Sequence, residues 1–83
     1  MTEKERNVVL GARLKEVRKK LDLSQEEFGI KLGEKQRTIS YMEDGRRGVL
    51  CTFTIKLEEE FNVDIIWFLK GEGEMFIKKD TPI

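Results

Sequence analysis

Apolar residues recur along this chain at helical spacing. Leu10, Leu14, Val17 and Leu21 fall at i, i+4, i+7 and i+11, one stripe of an amphipathic helix. Asn7 is placed to cap its start, and Lys19 and Lys20 complement the negative pole at its end. Asp22 follows, a residue that tolerates the left-handed backbone needed to stop a helix there. Ser24-Gln25-Glu26-Glu27 has the form of a capping box, in which the Ser24 hydroxyl meets the Glu27 amide and the Glu27 carboxylate reaches back. The helix it opens carries Phe28 and Leu32 inward and ends at Gly33. A short third helix follows through Asp44, anchored by Ile39 and Met42, polar outside and closed by Gly45. Thr52 is placed to cap a fourth helix with Phe53, Leu57 and Phe61 on one line, stopped by Asn62 in the left-handed region. Asp64 caps a short fifth helix, Ile65 to Lys70, which Gly71 ends. The pattern predicts an all-α protein, a compact five-helix bundle.

Length makes this one domain, with a core over about residues 7–71 and a C-terminal tail over 72–83. A chain of 83 residues buries only ~60–65% of its unfolded surface, enough for one modest core. No apolar run approaches the ~18 residues of a membrane span, and the first residues, MTEKERN, lack a signal peptide's apolar stretch. A cytoplasmic protein is the expectation. Cys51 is the single cysteine, so no internal disulfide forms, and it reads as a small buried apolar residue. Histidine is absent, which removes zinc fingers, catalytic zinc sites and histidine triads from consideration. No metal or small-molecule cofactor is expected. Glu26 and Glu27 have a complete explanation in helix capping, and no nucleophile–base pair or phosphate loop stands beside them, so an enzyme is not expected.

Charge changes the picture more than composition does. The net formal charge is zero, but residues 1–56 hold 13 Lys and Arg against 9 Asp and Glu, a net of +4, and residues 57–83 hold 3 against 7, a net of −4. Such a split gives one basic and one acidic region, and the local field is what attracts phosphate. Two short helices joined at Gly33, the second polar outside and followed by the basic Gly45-Arg46-Arg47-Gly48 loop, form the pattern of a helix-turn-helix.

The segments LSQEEFGIKLG, TIS, EDGRR and WFLKGEG, spread without gaps from about Leu10 to Glu72, resemble the Cro-and-repressor class of helix-turn-helix domains, and the GEGEMF ending is similar to phage-repressor N-terminal domains. The resemblance implies a lambda-repressor-like fold whose third helix enters the major groove of double-stranded DNA. It assigns base reading to Gln36, Arg37, Ser40 and Tyr41. Glutamine pairs bidentately with adenine and arginine with guanine, while serine and tyrosine meet base edges or phosphates, so these residue types suit the task independently. Gln25, at the start of helix 2, is implied to contact a phosphate and brace Gln36. Arg46 and Arg47 match a loop that grips the sugar-phosphate backbone. Arg18 and Glu43 match an ion pair tying helix 1 to the end of helix 3.

Departures from the family pattern are specific. Lys35 stands where a Ser or Thr usually caps helix 3, leaving that start without a capping oxygen but placing a cation near phosphate. Glu34 replaces an apolar turn residue, and Gly29 replaces an alanine at a close helix–helix approach. Thr54 and Glu58 fall where apolar residues are common, which leaves the register of helix 4 open.

Glu58-Glu59-Glu60 reads as a solvated acidic face; the alternative is that these acids keep the domain from docking on DNA by the wrong side. Ile65 to Leu69 are apolar all round, more than a short helix can turn inward. The family dimerises through this region, so Ile66 and Trp67, with Met75, Phe76 and Ile77, are candidate contacts of a homodimer; for Trp67, a lid on the core is an equal reading. A dimer implies a near-palindromic operator. The resulting expectation is a sequence-specific transcriptional regulator of the repressor kind. The alternative is an antitoxin that binds both DNA and a protein partner.

Overall fold

The computed structural model describes residues 1–78 and contains five helices: α1 (Glu3–Lys20), α2 (Gln25–Leu32), α3 (Gln36–Glu43), α4 (Cys51–Phe61) and α5 (Ile65–Lys70). The third packs against both the first and the second, α4 covers α2, and α5 closes the bundle against α1 and α4. Leu14, Val17, Phe28, Leu32, Ile39, Met42, Phe53, Leu57, Val63 and Phe68 form the buried core. Phe28 and Phe61 stack with ring centroids 5.4 Å apart, joining α2 to α4.

Left-handed residues stand at the expected stops: Asp22 (φ 57°), Gly33 (71°), Asn62 (58°) and Gly71 (76°). The starts divide. Ser24 accepts the Glu27 amide at 3.1 Å and its own amide donates to the Glu27 carboxylate at 2.9 Å, the reciprocal box expected. Asp64 accepts from the amides of Ile66 and Trp67. The first helix, however, begins four residues before Asn7. Thr2 is its cap, paired with Glu5 in a second capping box, and Asn7 lies within the helix. The apolar stripe starts only at Leu10, so periodicity left this polar extension unmarked.

Helix α4 also starts earlier than expected. Leu50 is its N-cap and no side chain caps it; Thr52 is inside the first turn and exposed. Cys51 is exposed, not buried. Burial of Phe53 and Thr54 sets this start, and the Thr54 hydroxyl donates to the Cys51 carbonyl at 2.6 Å, which satisfies the one polar group that the register carries inside. Beyond α5 the chain does not leave as a free tail. The Asp64 amide donates to the Met75 carbonyl and the Ile77 amide to that of Asn62, both at 2.8 Å, forming an isolated antiparallel bridge between Val63 and Phe76. Met75 and Phe76 pack on the core. Residues 79–83 of the expected tail lie outside the described residues.

Capping gives the fold a specific acid lability. The Glu27 carboxyl is held below its ordinary value, chiefly by the Ser24 backbone N–H and then by the Ser24 hydroxyl. A depressed carboxylate stabilises the folded state above its unfolded pKa, and that contribution is lost as pH falls through the lower folded value. Glu27→Gln keeps an oxygen that can accept from the Ser24 amide but loses the charge, and is therefore expected to melt below wild type at neutral pH. The two should converge once the medium is acid enough to protonate the wild-type carboxylate. Thermal melts across the carboxylate range check this, and a constant gap at every pH would assign the loss to something other than charge.

Candidate nucleic-acid interface

The α2–turn–α3 unit is fixed from inside. Gly33 turns the chain in the left-handed region, the Glu34 amide donates back to the Gly29 carbonyl at 2.8 Å, and Lys35 becomes the N-cap of α3. In this closure a β-carbon at Gly29 would sit 2.5 Å from the Glu34 carbonyl oxygen, so the alanine usual in the family pattern would require the turn to open slightly. Glu34, apolar in the family pattern, has its carboxylate 3.8 Å from the Lys56 ammonium and so links the turn to α4. Lys35 makes no side-chain capping bond and stays exposed, as its residue type implies.

With Ile39, Met42 and Glu43 buried, α3 turns Gln36, Arg37, Ser40 and Tyr41 outward. These fall at i, i+1, i+4 and i+5, one continuous face. Gln36, Arg37 and Tyr41 are exposed and Ser40 is half-buried beside them. Lys35 flanks this face at its start, and Arg46 and Arg47 lie just beyond its end. Both loop amides donate to the Tyr41 carbonyl, at 2.9 and 3.2 Å, which ties the basic loop to the last turn of the helix.

Behind the face, Arg18 and Glu43 join α1 to α3. Arg18 Nε donates to Glu43 Oε2 at 2.6 Å and Nη2 to Oε1 at 3.0 Å, a bidentate pair with side chains only 13% and 3% exposed. Arg18 Nη1 also donates to the Leu23 carbonyl at 3.0 Å. Its guanidinium pKa is raised, chiefly by the hydrogen bond to Glu43. Gln25 turns to this pair too. Its amide donates to Glu43 Oε1 at 3.2 Å, so the brace from the start of α2 reaches the end of α3 and not Gln36. Glu43 is the stronger acceptor, being anionic and already fixed.

Sequence reasoning missed three residues. Gly11 lets α1 approach so closely that a β-carbon would overlap the carbonyl oxygens at the end of α3. Arg13 donates to the Phe68 carbonyl at 3.0 Å and brings a cation to the negative end of α5. Asp44 binds Arg46: its carboxylate accepts from Nε at 2.8 Å, from Nη2, and from the Arg46 amide at 3.2 Å. Asp-Gly-Arg, with the acid side chain meeting the amide two residues on, is an Asx-turn pattern that was available in the sequence. The hydrogen bond from Arg46 holds the Asp44 carboxyl below its ordinary value and raises that of the guanidinium.

The candidate dimer residues divide between surface and core. Ile66 and Ile77 are 53% and 39% exposed, and Leu69, not among the candidates, is exposed beside them at 47%. Trp67, Met75 and Phe76 are partly buried against the protein's own core. No helix of the described residues is long and apolar enough to cross a membrane.

A short helix braced from behind, a glycine turn before it, and an outward polar face bracketed by cations define a helix-turn-helix DNA-binding domain. Comparison with known proteins agrees: the family profile described as helix-turn-helix matches residues 14–68, and the chain belongs to that family, in its Cro-and-repressor type. It is also 36% identical over 67 residues to a propionyl-CoA carboxylase regulator of Cereibacter sphaeroides. That alignment covers 81% of this chain, but the chain spans only 14% of the length of the relative.

Proposed function

We propose that this domain represses transcription by reading a near-palindromic operator as a two-fold homodimer. The observation that carries the reading is the outward face of α3, where the polar side chains of Gln36, Arg37, Ser40 and Tyr41 stand between Lys35 and the Arg46–Arg47 loop. In this reading Gln36, Arg37, Ser40 and Tyr41 meet base edges, and Gln25, Lys35, Arg46 and Arg47 meet phosphates. The name of the relative, a regulator, supports a regulatory role. Exposed Ile66, Leu69 and Ile77, with the outer edges of Trp67, Met75 and Phe76, supply an apolar surface for a second copy. One domain reads only a few base pairs at ~1–3 kcal/mol each, too little to choose one site from a genome; two copies double the reading.

Selection of bound duplexes from a random library tests this directly. The expected product is a near-palindrome with half-sites ~34 Å apart. Ile66→Asp should sediment as a monomer and lose the advantage of the whole site over the half-site. An isolated half-site bound by the wild type as tightly as the full site would refute the dimer. The double variant Arg46→Ala, Arg47→Ala should weaken binding to every sequence and flatten the plot of log affinity against log salt by ~0.9 for each phosphate the loop no longer neutralises.

A further inference from the structure

Arg46 and Arg47 are adjacent, both are exposed, and both donate their amides to the Tyr41 carbonyl, yet their side chains are in different situations. The guanidinium of Arg46 lies over the Tyr41 ring, 4.3 Å from its centroid. Its edge is taken by the Asp44 carboxylate through Nε and Nη2. An arginine whose task is to attract phosphate gains nothing from a carboxylate on its edge, since the pair has no net charge and the carboxylate repels the same phosphate. The arrangement does serve Tyr41. The ring, the last outward side chain of the recognition helix, has one face covered by a planar cation whose own position is fixed three ways. The base of this assembly is closely packed, with Gly45 (φ 82°) set against α1 so that a β-carbon would lie 2.9 Å from the Val8 α-carbon.

We infer that Asp44 and Arg46 are positioning residues for base reading by Tyr41. Asp44 holds Arg46 on the ring, the ring is presented to the groove in one orientation, and the loop's attraction for phosphate comes mainly from Arg47. This rests on the DNA-reading function proposed above and narrows one assignment within it: Arg46, placed there among the phosphate contacts, becomes the support of Tyr41 and leaves that task mainly to Arg47.

The test measures the whole chain on its selected duplex and on duplexes altered one base pair at a time, each across a salt series. Tyr41→Ala first identifies the base pair that Tyr41 reads, where the wild type is expected to discriminate by roughly 5- to 150-fold. Arg47→Ala should lower the salt slope by ~0.9 and keep the preference profile. Arg46→Ala should change the slope by less than half of that, while discrimination at the Tyr41 base pair falls to within about twofold. Arg46→Lys, which retains charge but not the planar fork, should resemble Arg46→Ala in base preference. Asp44→Asn frees the guanidinium, so the slope steepens and the same preference loosens. If Arg46→Ala copies Arg47→Ala, with its profile intact and its slope flattened, the positioning role is refuted while DNA reading stands. If Arg46→Lys keeps the wild-type profile, the positioning role is refuted as well. A wild type that enriches no duplex at all refutes the DNA reading itself.

Discussion

Glu43→Ala is expected to cost the fold about 3–5 kcal/mol, the range for removing one partner of a buried ion pair. A domain of this size has roughly 4–12 kcal/mol in total, so the loss removes at least about a quarter of the stability and unfolds the domain where the total lies at the low end. The magnitude follows from what is left behind. Arg18, 13% exposed, would keep its bond to the Leu23 carbonyl but lose both bonds to a carboxylate, and the Gln25 amide would lose its acceptor. An exposed pair would lose less than ~1 kcal/mol, and the loss would be screened by salt. Here the loss should persist at high salt. Glu43→Gln keeps the acceptor but not the charge and should fall between. Replacing both partners with apolar residues of similar volume should recover much of the stability, because the penalty lies in the unpaired cation and not in the pair's absence. Ordinary pH does not reach this pair from the arginine side. A raised arginine pKa confers stability that is present below the unfolded value and lost only as pH rises through the folded one. Urea denaturation of both single variants and the double variant supplies the coupling, and a coupling near zero would show that the pair does not brace α3.

That brace shows how far the sequence carries. The pairing of Arg18 with Glu43 was legible because the helix-turn-helix resemblance brings together two residues 25 positions apart. The helix stops at Gly33, Asn62 and Gly71, and the caps at Ser24 and Asp64, were legible for a local reason: each is a residue type whose own chemistry forces the backbone or satisfies an amide. Where no local chemistry marks an element, the reading failed. Leu50 caps α4 with no side-chain bond, so its residue type does not mark the start, whereas Thr52, a good capping type, lies inside the helix and Cys51, a commonly buried type, faces outward. Thr2 and Glu5 do form a box visible in the sequence, but no apolar stripe follows until Leu10, and the stripe was what defined the helix. The bridge between Val63 and Phe76 is set by backbone groups, which composition does not distinguish. The outward face of α3 needed only its period. The role of Asp44 needed the turn at Gly45, which brings a carboxylate onto the same arginine that flanks the site.

Gly11 is the position where local and tertiary chemistry give opposite forecasts. It lies in the middle of α1, where replacing glycine with alanine ordinarily gains roughly 1 kcal/mol of helix propensity. Its neighbours reverse the sign. A β-carbon at Gly11 would overlap the Met42 carbonyl oxygen and lie 2.7 Å from that of Glu43. Both obstacles are backbone, so no rotamer change relieves them, and α1 and α3 must separate. Overpacking of this kind costs about 1–3 kcal/mol and occasionally more. The displaced element is the end of the recognition helix, next to Glu43 and its bond to Arg18. Gly11→Ala should therefore melt below wild type despite its better propensity, and its DNA affinity should fall by more than its folded fraction explains. Ala12→Gly is the matching control, since residue 12 is exposed: it should lose roughly 1 kcal/mol of propensity and leave DNA affinity per folded molecule unchanged. Thermal melts beside operator titrations separate the two effects. A Gly11→Ala variant that melts above wild type would show that α1 and α3 are not in the close contact on which the pose of the recognition helix depends.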